Sequence, residues 1–309
     1  MSCYSPLRGY KNKSGRWVSK RPTDTAPIKM NVRCGGCIGC RHDNAKHWAA
    51  RIQHEAQQWN RNCFLTLTYR DREQCSTEQL QEGLHLPDFP SLSKPHLQKF
   101  IKRLRHHFDD TRIRYYACGE YGDDNDRPHY HLCIFNLAFR DQQLHSNNGG
   151  YPLFTSQTLQ NIWGYGFTTI GELTYESAAY CSRYVLKKIT GPRAHDHYLR
   201  FDNYGVCQWL EPEFTLMSRR PGIGRDWIDT YQDDVYPSDE TPIPGVGNVK
   251  GVPRYYDKVL ETVDPKLYEE VKAKRAAYAT KNPGEFSPQR LEAKYKCHRA
   301  KTQHLRRNL

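Results

Sequence analysis

Two histidines one position apart, in Arg127-Pro128-His129-Tyr130-His131-Leu132, are the residues of this 309-residue chain most clearly suited to chemistry. Alternate residues of a strand share a face, so in a strand His129 and His131 project side by side and can chelate a divalent ion. A second strand-like run, Ile113 to Tyr121, precedes them. The polar stretch Gly122-Asp123-Asp124-Asn125-Asp126-Arg127 between the runs reads as a hairpin loop. With a symmetric loop, the register sets Glu120 directly opposite His129 on the same face, as a third ligand. Two imidazoles and a carboxylate fit Mg2+ or Mn2+ at a phosphate, and the ligand types also admit Zn2+. The alternative is a histidine pair on a solvated strand face beside a hairpin acid.

A second cluster lies in Tyr180-Cys181-Ser182-Arg183-Tyr184-Val185-Leu186-Lys187-Lys188. On a helix, Tyr180, Tyr184 and Lys187 fall in one narrow stripe with Arg183 beside it, while Ala178, Cys181, Val185 and Ile189 take the opposite, core-facing side. A phenol is a poor nucleophile near its free pKa of ~10, but neighbouring cations favour phenolate. Two such tyrosines would allow two successive transesterifications. Taken alone, the same pattern describes an amphipathic helix with partly exposed tyrosines. A third cluster, Cys34-Gly35-Gly36-Cys37-Ile38-Gly39-Cys40, could hold structural Zn2+ with Cys3 as the fourth thiolate, against a reading as reduced, unligated thiols.

These groups need a scaffold, and the surrounding pattern supplies one. Ala45, Trp48, Ala49, Ile52, Ala56 and Trp59 recur at helical spacing over about 41–59. Cys63 to Tyr69 reads as a core strand, Ser93 as the cap of a helix near 94–108, and Phe167 to Ile170 as a weaker strand. Thr174 would cap a helix over about 175–189, and Asp264-Pro265 opens another running to about 280. The order of helices and antiparallel strands predicts an α+β domain over 61–230. It is flanked by a basic arm (1–33), a Cys-rich segment and helix (34–60), a Pro/Gly-rich linker (231–262) and a C-terminal helix with a basic tail (263–309).

The formal charge of +12 is concentrated at the ends: residues 1–33 carry a net +7 and residues 288–309 a net +6. Basic ends around a near-neutral middle point to polyanion-binding arms. Mean hydropathy is −0.88, and no apolar run approaches the ~20 residues that span a bilayer, so no membrane partner is expected. The first residues lack the apolar core of a secretory signal. Eleven cysteines in such a chain are expected to be reduced thiols, some on metal. Arg219 and Arg220, within Ser218-Arg219-Arg220-Pro221-Gly222-Ile223-Gly224, are suited to gripping DNA phosphates.

His129-Tyr130-His131 downstream of Phe64-Leu65-Thr66-Leu67-Thr68-Tyr69, followed by the Tyr180, Tyr184, Lys187 spacing, resembles the HUH endonuclease superfamily. More closely, the chain is similar to the replication initiators of gokushovirus-type microviruses. The Cys34 to Arg41 block, Cys118-Gly119-Glu120-Tyr121-Gly122, the histidine block and the Ser218 to Gly224 block carry that likeness, from about 34 to 227. The resemblance implies a five-stranded antiparallel sheet with flanking helices. It also implies rolling-circle nicking and rejoining of single-stranded origin DNA through 5′-phosphotyrosyl intermediates.

In that scheme His129 and His131 match the metal ligands, Tyr180 and Tyr184 the paired nucleophiles, and Lys187 the motif's lysine. Arg183, Lys188, Arg219 and Arg220 are expected on DNA. A host replication polymerase and helicase would be partners, and the bacterial host's cytoplasm the location. The competing readings are an HUH transposase or relaxase and a non-enzymatic, zinc-dependent nucleic-acid-binding regulator.

Overall fold

The computed structural model describes residues 3–12, 14, 16–21, 28–70, 91–122, 126–183, 188–189, 191–201, 205 and 207–302. Two compact units are present: residues 1–47, 235–241 and 250–309 form one, and residues 48–234 and 242–249 the other.

In the first unit, the segment read as an arm contains a small antiparallel sheet. Its strands β1 (Leu7–Lys11), β2 (Trp17–Val18) and β3 (Ile28–Val32) lie in the order β2-β1-β3. None exceeds five residues and most of their side chains are exposed, which leaves no apolar period to read. Gly9 is required there, since a Cβ would sit 2.4 Å from the Trp17 indole nitrogen. Helix α1 (Ile38–Ala56) begins and ends about three residues earlier than its apolar spacing predicts.

The second unit is built on a seven-stranded antiparallel sheet, where the resemblance implies five strands. Its first members are β4 (Asn62–Tyr69), β5 (Arg114–Tyr121) and β6 (Pro128–Phe135), with α2 (Lys94–His107) between β4 and β5. Next come β7 (Gln143–Asn148), β8 (Tyr151–Thr155), α3 (Gln157–Trp163), β9 (Gly166–Gly171) and α4 (Tyr175–Arg183). Helix α5 (Arg193–Tyr198) leads into a two-stranded ribbon, β10 (Leu199–Phe201) and β11 (Cys207–Trp209), and then into the edge strand β12 (Phe214–Met217). The sheet order is β12-β5-β6-β4-β9-β8-β7, so the hairpin β7–β8 accounts for the outermost two strands.

Alternation along β4 and β6 divides the sheet into two faces. Leu65, Leu67, Tyr130 and Leu132 pack with Leu97, Phe100 and Leu104 of α2 and with Trp163 of α3. Tyr116, Cys118, Cys133 and Phe135 point to the other face, against Ala49 and Ile52 of α1 and Ala178 and Cys181 of α4. Ile189, expected on the same side as Cys181, packs instead on the α2 cluster, and Val185 lies outside the described residues.

The segment read as a linker is not featureless. After α6 (Arg225–Thr230) come α7 (Gln232–Val235), short strands at Glu240–Ile243 and Gly247–Lys250, and α8 (Arg254–Val263). Two C-terminal helices follow, α9 (Pro265–Lys281), capped by Asp264, and α10 (Pro288–Thr302).

Candidate active site and metal centres

Strands β5 and β6 pair in the register the loop symmetry requires, with Glu120 opposite His129 and Cys118 opposite His131. His131 Nε2 lies 2.8 Å from Glu120 Oε1, and His129 Nε2 lies 3.2 Å from the same oxygen. The carboxylate is buried, His131 nearly so, and His129 is about one-fifth exposed, so the cluster opens to solvent on the His129 side.

Thr66 on β4 pairs with His131, and its hydroxyl oxygen is 3.1 Å from His131 Nδ1. That contact turns Nε2 toward Glu120. Sequence reasoning misses Thr66, because its role depends on β4 pairing with β6 across 65 residues of chain. Two glycines of the Cys118 to Gly122 block fit the crowding here. A Cβ at Gly119 would meet Leu92, Phe214 and Tyr130 at 3.1–3.2 Å, and one at Gly122 would meet the His129 ring at 3.1 Å.

Helix α4 delivers Tyr180 to this cluster. Thr174 caps it: its hydroxyl accepts from Ser177 N–H, while its own N–H donates to Ser177 Oγ. Cys181 packs beneath, its Sγ 3.4 Å from Cys118 Sγ and 3.5 Å from the His131 carbonyl oxygen. One residue earlier, the Tyr180 ring stands edge-on to His131, with centroids 5.1 Å apart and planes at 81°. Phe64 lies parallel to the His131 ring on its other flank.

Glu120, His129 and His131 therefore share a place with Tyr180, whereas Tyr184 and Lys187 lie outside the described residues. Arg183 is the last residue of α4, near enough to Tyr175 for its charge to oppose the upward push of burial on that phenol. Arg219 and Arg220 follow β12 at the opposite end of β5 from Glu120, and no contact joins them to the histidines. On the site's own face, Glu120, His129, Thr68 and Phe167 occupy one row across β5, β6, β4 and β9, and Phe167 is half exposed.

The three side chains suit a divalent cation. Each offers one ligand atom, and these atoms lie within 4.8 Å of one another. An imidazole–imidazole–carboxylate set matches the harder end of the first-row metals.

In the first unit, Cys3, Cys34, Cys37 and Cys40 meet the same criterion. Their sulfurs are 3.7 Å apart for Cys3 and Cys34 and 3.9 Å for Cys34 and Cys40. A tetrahedral zinc with Zn–S bonds of about 2.3 Å sets its sulfurs about 3.8 Å apart, so the geometry fits. Backbone N–H groups are already aimed at the sulfurs: Cys34 donates to Cys3, Cys37 to Cys34, and Tyr4 and Cys40 to Cys37. Burial raises the Cys37 thiol, but the donors from Cys40 and Tyr4 outweigh it and bring the pKa down to about 7. Burial pushes Cys40 up to about 12.

Residues 62–189 match the family model of the ORF2-type replication-associated proteins. The chain is 35% identical over 284 residues to "Replication-associated protein ORF2" of Spiroplasma virus 4, covering 84% of this chain and 81% of that protein. It is 30% identical over 283 residues to "Replication-associated protein VP4" of Bdellovibrio phage phiMH2K, covering 89% and 82%. A shorter match, 30% over 163 residues, reaches "Replication-associated protein ORF4" of Chlamydia phage 1 and covers 50% of this chain and 38% of that one. No solved structure matches the chain. With two relatives matched across four-fifths of their length, the chain belongs to the family of microvirus replication-associated proteins.

Proposed function

We propose that this protein initiates rolling-circle replication by nicking and rejoining single-stranded origin DNA, with an HUH-type catalytic domain at 61–230. The observation that carries the reading is the Tyr180 ring set edge-on against His131 at 5.1 Å, beside a Glu120–His129–His131 cluster. A Mg2+ or Mn2+ ion bound by those three residues would polarise a non-bridging phosphate oxygen and make the phosphorus a better electrophile.

The chain's own residues do the rest. Thr66 holds His131 in one orientation, and Glu120 keeps both imidazoles turned to a common point. Tyr180, as phenolate, attacks phosphorus: its oxygen–phosphorus bond forms as the bond to the 3′ oxygen breaks, and that oxygen leaves to take up a proton. The products are a 5′-phosphotyrosyl link and a free 3′-hydroxyl that primes a host polymerase. Tyr184 cuts the regenerated origin, and the new 3′-hydroxyl attacks the first link to close a circle. The phosphotyrosine retains the bond energy, so joining consumes no nucleotide. Lys187, Arg183 and Lys188 supply positive charge along the same helix. Phe167 offers a ring for a neighbouring base to stack on. A structural Zn2+ in the four-cysteine site orders the N-terminal segment. The host cytoplasm is the setting, with a replicative helicase as further partner.

Incubation with Mg2+ or Mn2+ and labelled single-stranded viral DNA tests this. A denaturation-resistant protein–DNA adduct is expected, reduced in Y180F and in Y184F and absent from the double variant. Full nicking and joining by the double variant would overturn the reading.

A further inference from the structure

At the end of β5 remote from Glu120, the second unit has a cleft of about 790 Å3 whose lining includes Arg105, Arg112, Arg219, Arg220, Tyr115 and Asp109. The four arginines are exposed, against the single exposed carboxylate of Asp109. They come from three separate places: α2, the turn before β5, and the loop after β12. Arg105 lies 5.6 Å over the Tyr115 ring and donates to the Ile113 carbonyl, and Arg112 lies 5.9 Å over Trp59. The charges of Arg105 and Arg219 both act on the Tyr115 hydroxyl, where they oppose burial. Neither Arg219 nor Arg220 has a carboxylate partner among the described residues. Like charges gathered this way repel one another, and an anion relieves that cost.

The loop carrying Arg219 and Arg220 is braced from below. Arg114 donates to the carbonyls of Pro221 and Gly222 and is itself paired with Glu55 at 2.5 Å, both side chains buried. Glu55 also accepts from Gly224 N–H, and Arg51 donates twice to the Ile223 carbonyl. Ser218 is pinned to Tyr115 by two hydrogen bonds, one in each direction. The Pro221-Gly222-Ile223-Gly224 half of the motif therefore serves the brace, and the Arg219-Arg220 half is left facing solvent from a fixed backbone.

We infer that this cleft is a second nucleic-acid site, which takes the sugar–phosphate backbone of the single strand flanking the nick. Guanidinium forks match phosphate oxygens in geometry and charge. Tyr115 and Glu120 are five residues apart on one strand, about 17 Å, a span of several nucleotides. A strand held at both places is anchored away from the reacting phosphate, so the cleft contributes to affinity and retention. This rests on single-stranded DNA being the substrate.

The test is the salt dependence of binding to a labelled mixed-sequence single strand, read by anisotropy without added metal. In R219A/R220A the slope of log K against log salt should become shallower by about 1.4, two contacts at ~0.7 each, with roughly tenfold weaker binding at low salt. R105Q, on a different element, should lower the slope by about half as much, and R219K/R220K should restore it. An unchanged slope in both the double variant and R105Q would overturn the cleft, and so would a loss confined to duplex DNA. Wild-type protein that shows these slope differences yet forms no covalent adduct would overturn the nicking reading and leave the cleft standing. Adduct formation with unchanged slopes would do the reverse.

Discussion

Thr66 touches no reacting group, but its hydroxyl, 3.1 Å from His131 Nδ1, is the contact that determines which ring nitrogen faces Glu120. Valine is nearly isosteric and keeps the β preference, so T66V should fold while freeing the imidazole to choose its tautomer. Mn2+ affinity, followed by the ion's paramagnetic resonance signal, should fall about 10- to 100-fold. Unchanged affinity would mean that packing against Phe64 alone fixes the ring. Glu120 is legible in the sequence because hairpin symmetry is local, whereas Thr66 is not, because β4 reaches β6 only through the tertiary fold.

His54 makes a second prediction at this scale. Burial, despite the Pro242 carbonyl, lowers its pKa from 6.5 to about 4, with the ring stacked on Trp227. Between those values the unfolded chain binds the proton and the folded one does not. Stability should therefore fall as pH drops through that window, by up to about 3 kcal/mol, and level off below about 4. Urea midpoints measured against pH check this, and H54Q should lack that component.

Among elements, the strands that carry the site are readable because β4, β5 and β6 are rich in aromatic and β-branched residues at alternate positions. The hairpin β7–β8 is not, since Gln143-Leu144-His145-Ser146-Asn147-Asn148 has neither feature and pairs through a register shift. The close approach of β9 to β4 is equally hidden: a Cβ at Gly166 would stand 2.2 Å from the Thr68 carbonyl oxygen. The Ser218 to Gly224 block announces its two cations, but half of it answers to Glu55 and Arg114. That pair ties α1 to β5 and to the loop, with side chains 3–4% exposed. Removing one partner strands the other charge in the interior, so E55A should cost about 3–5 kcal/mol in denaturant unfolding. It should also release the loop that positions Arg219 and Arg220, and a loss within experimental error would show that the brace is dispensable.

At the level of the whole molecule, the sequence blocks run in order along the chain, but the compact units do not. The unit holding the four cysteines draws on residues 1–47, 235–241 and 250–309, a grouping no local pattern announces. Its basic ends read as free arms, yet Tyr4 bonds His298 of α10 at 2.7 Å, and the same histidine meets His42 at 2.7 Å on its other ring nitrogen. Cys3, Cys34, Cys37 and Cys40 thus sit where the two ends of the chain come together. If zinc occupies that centre, its four thiolates are shielded, and chelation exposes them. Purified protein should carry about one zinc per chain, and C3A should bind it more weakly. After chelation at neutral pH, Cys37 should alkylate first because its pKa is about 7, and Cys40, at about 12, last. The Cys37 rate should fall as pH drops below about 7, since the thiolate is the nucleophile. Mass mapping of the modified cysteines gives the order. Equal rates with and without chelator would leave these thiols as unligated neighbours and return the N-terminal segment to packing alone.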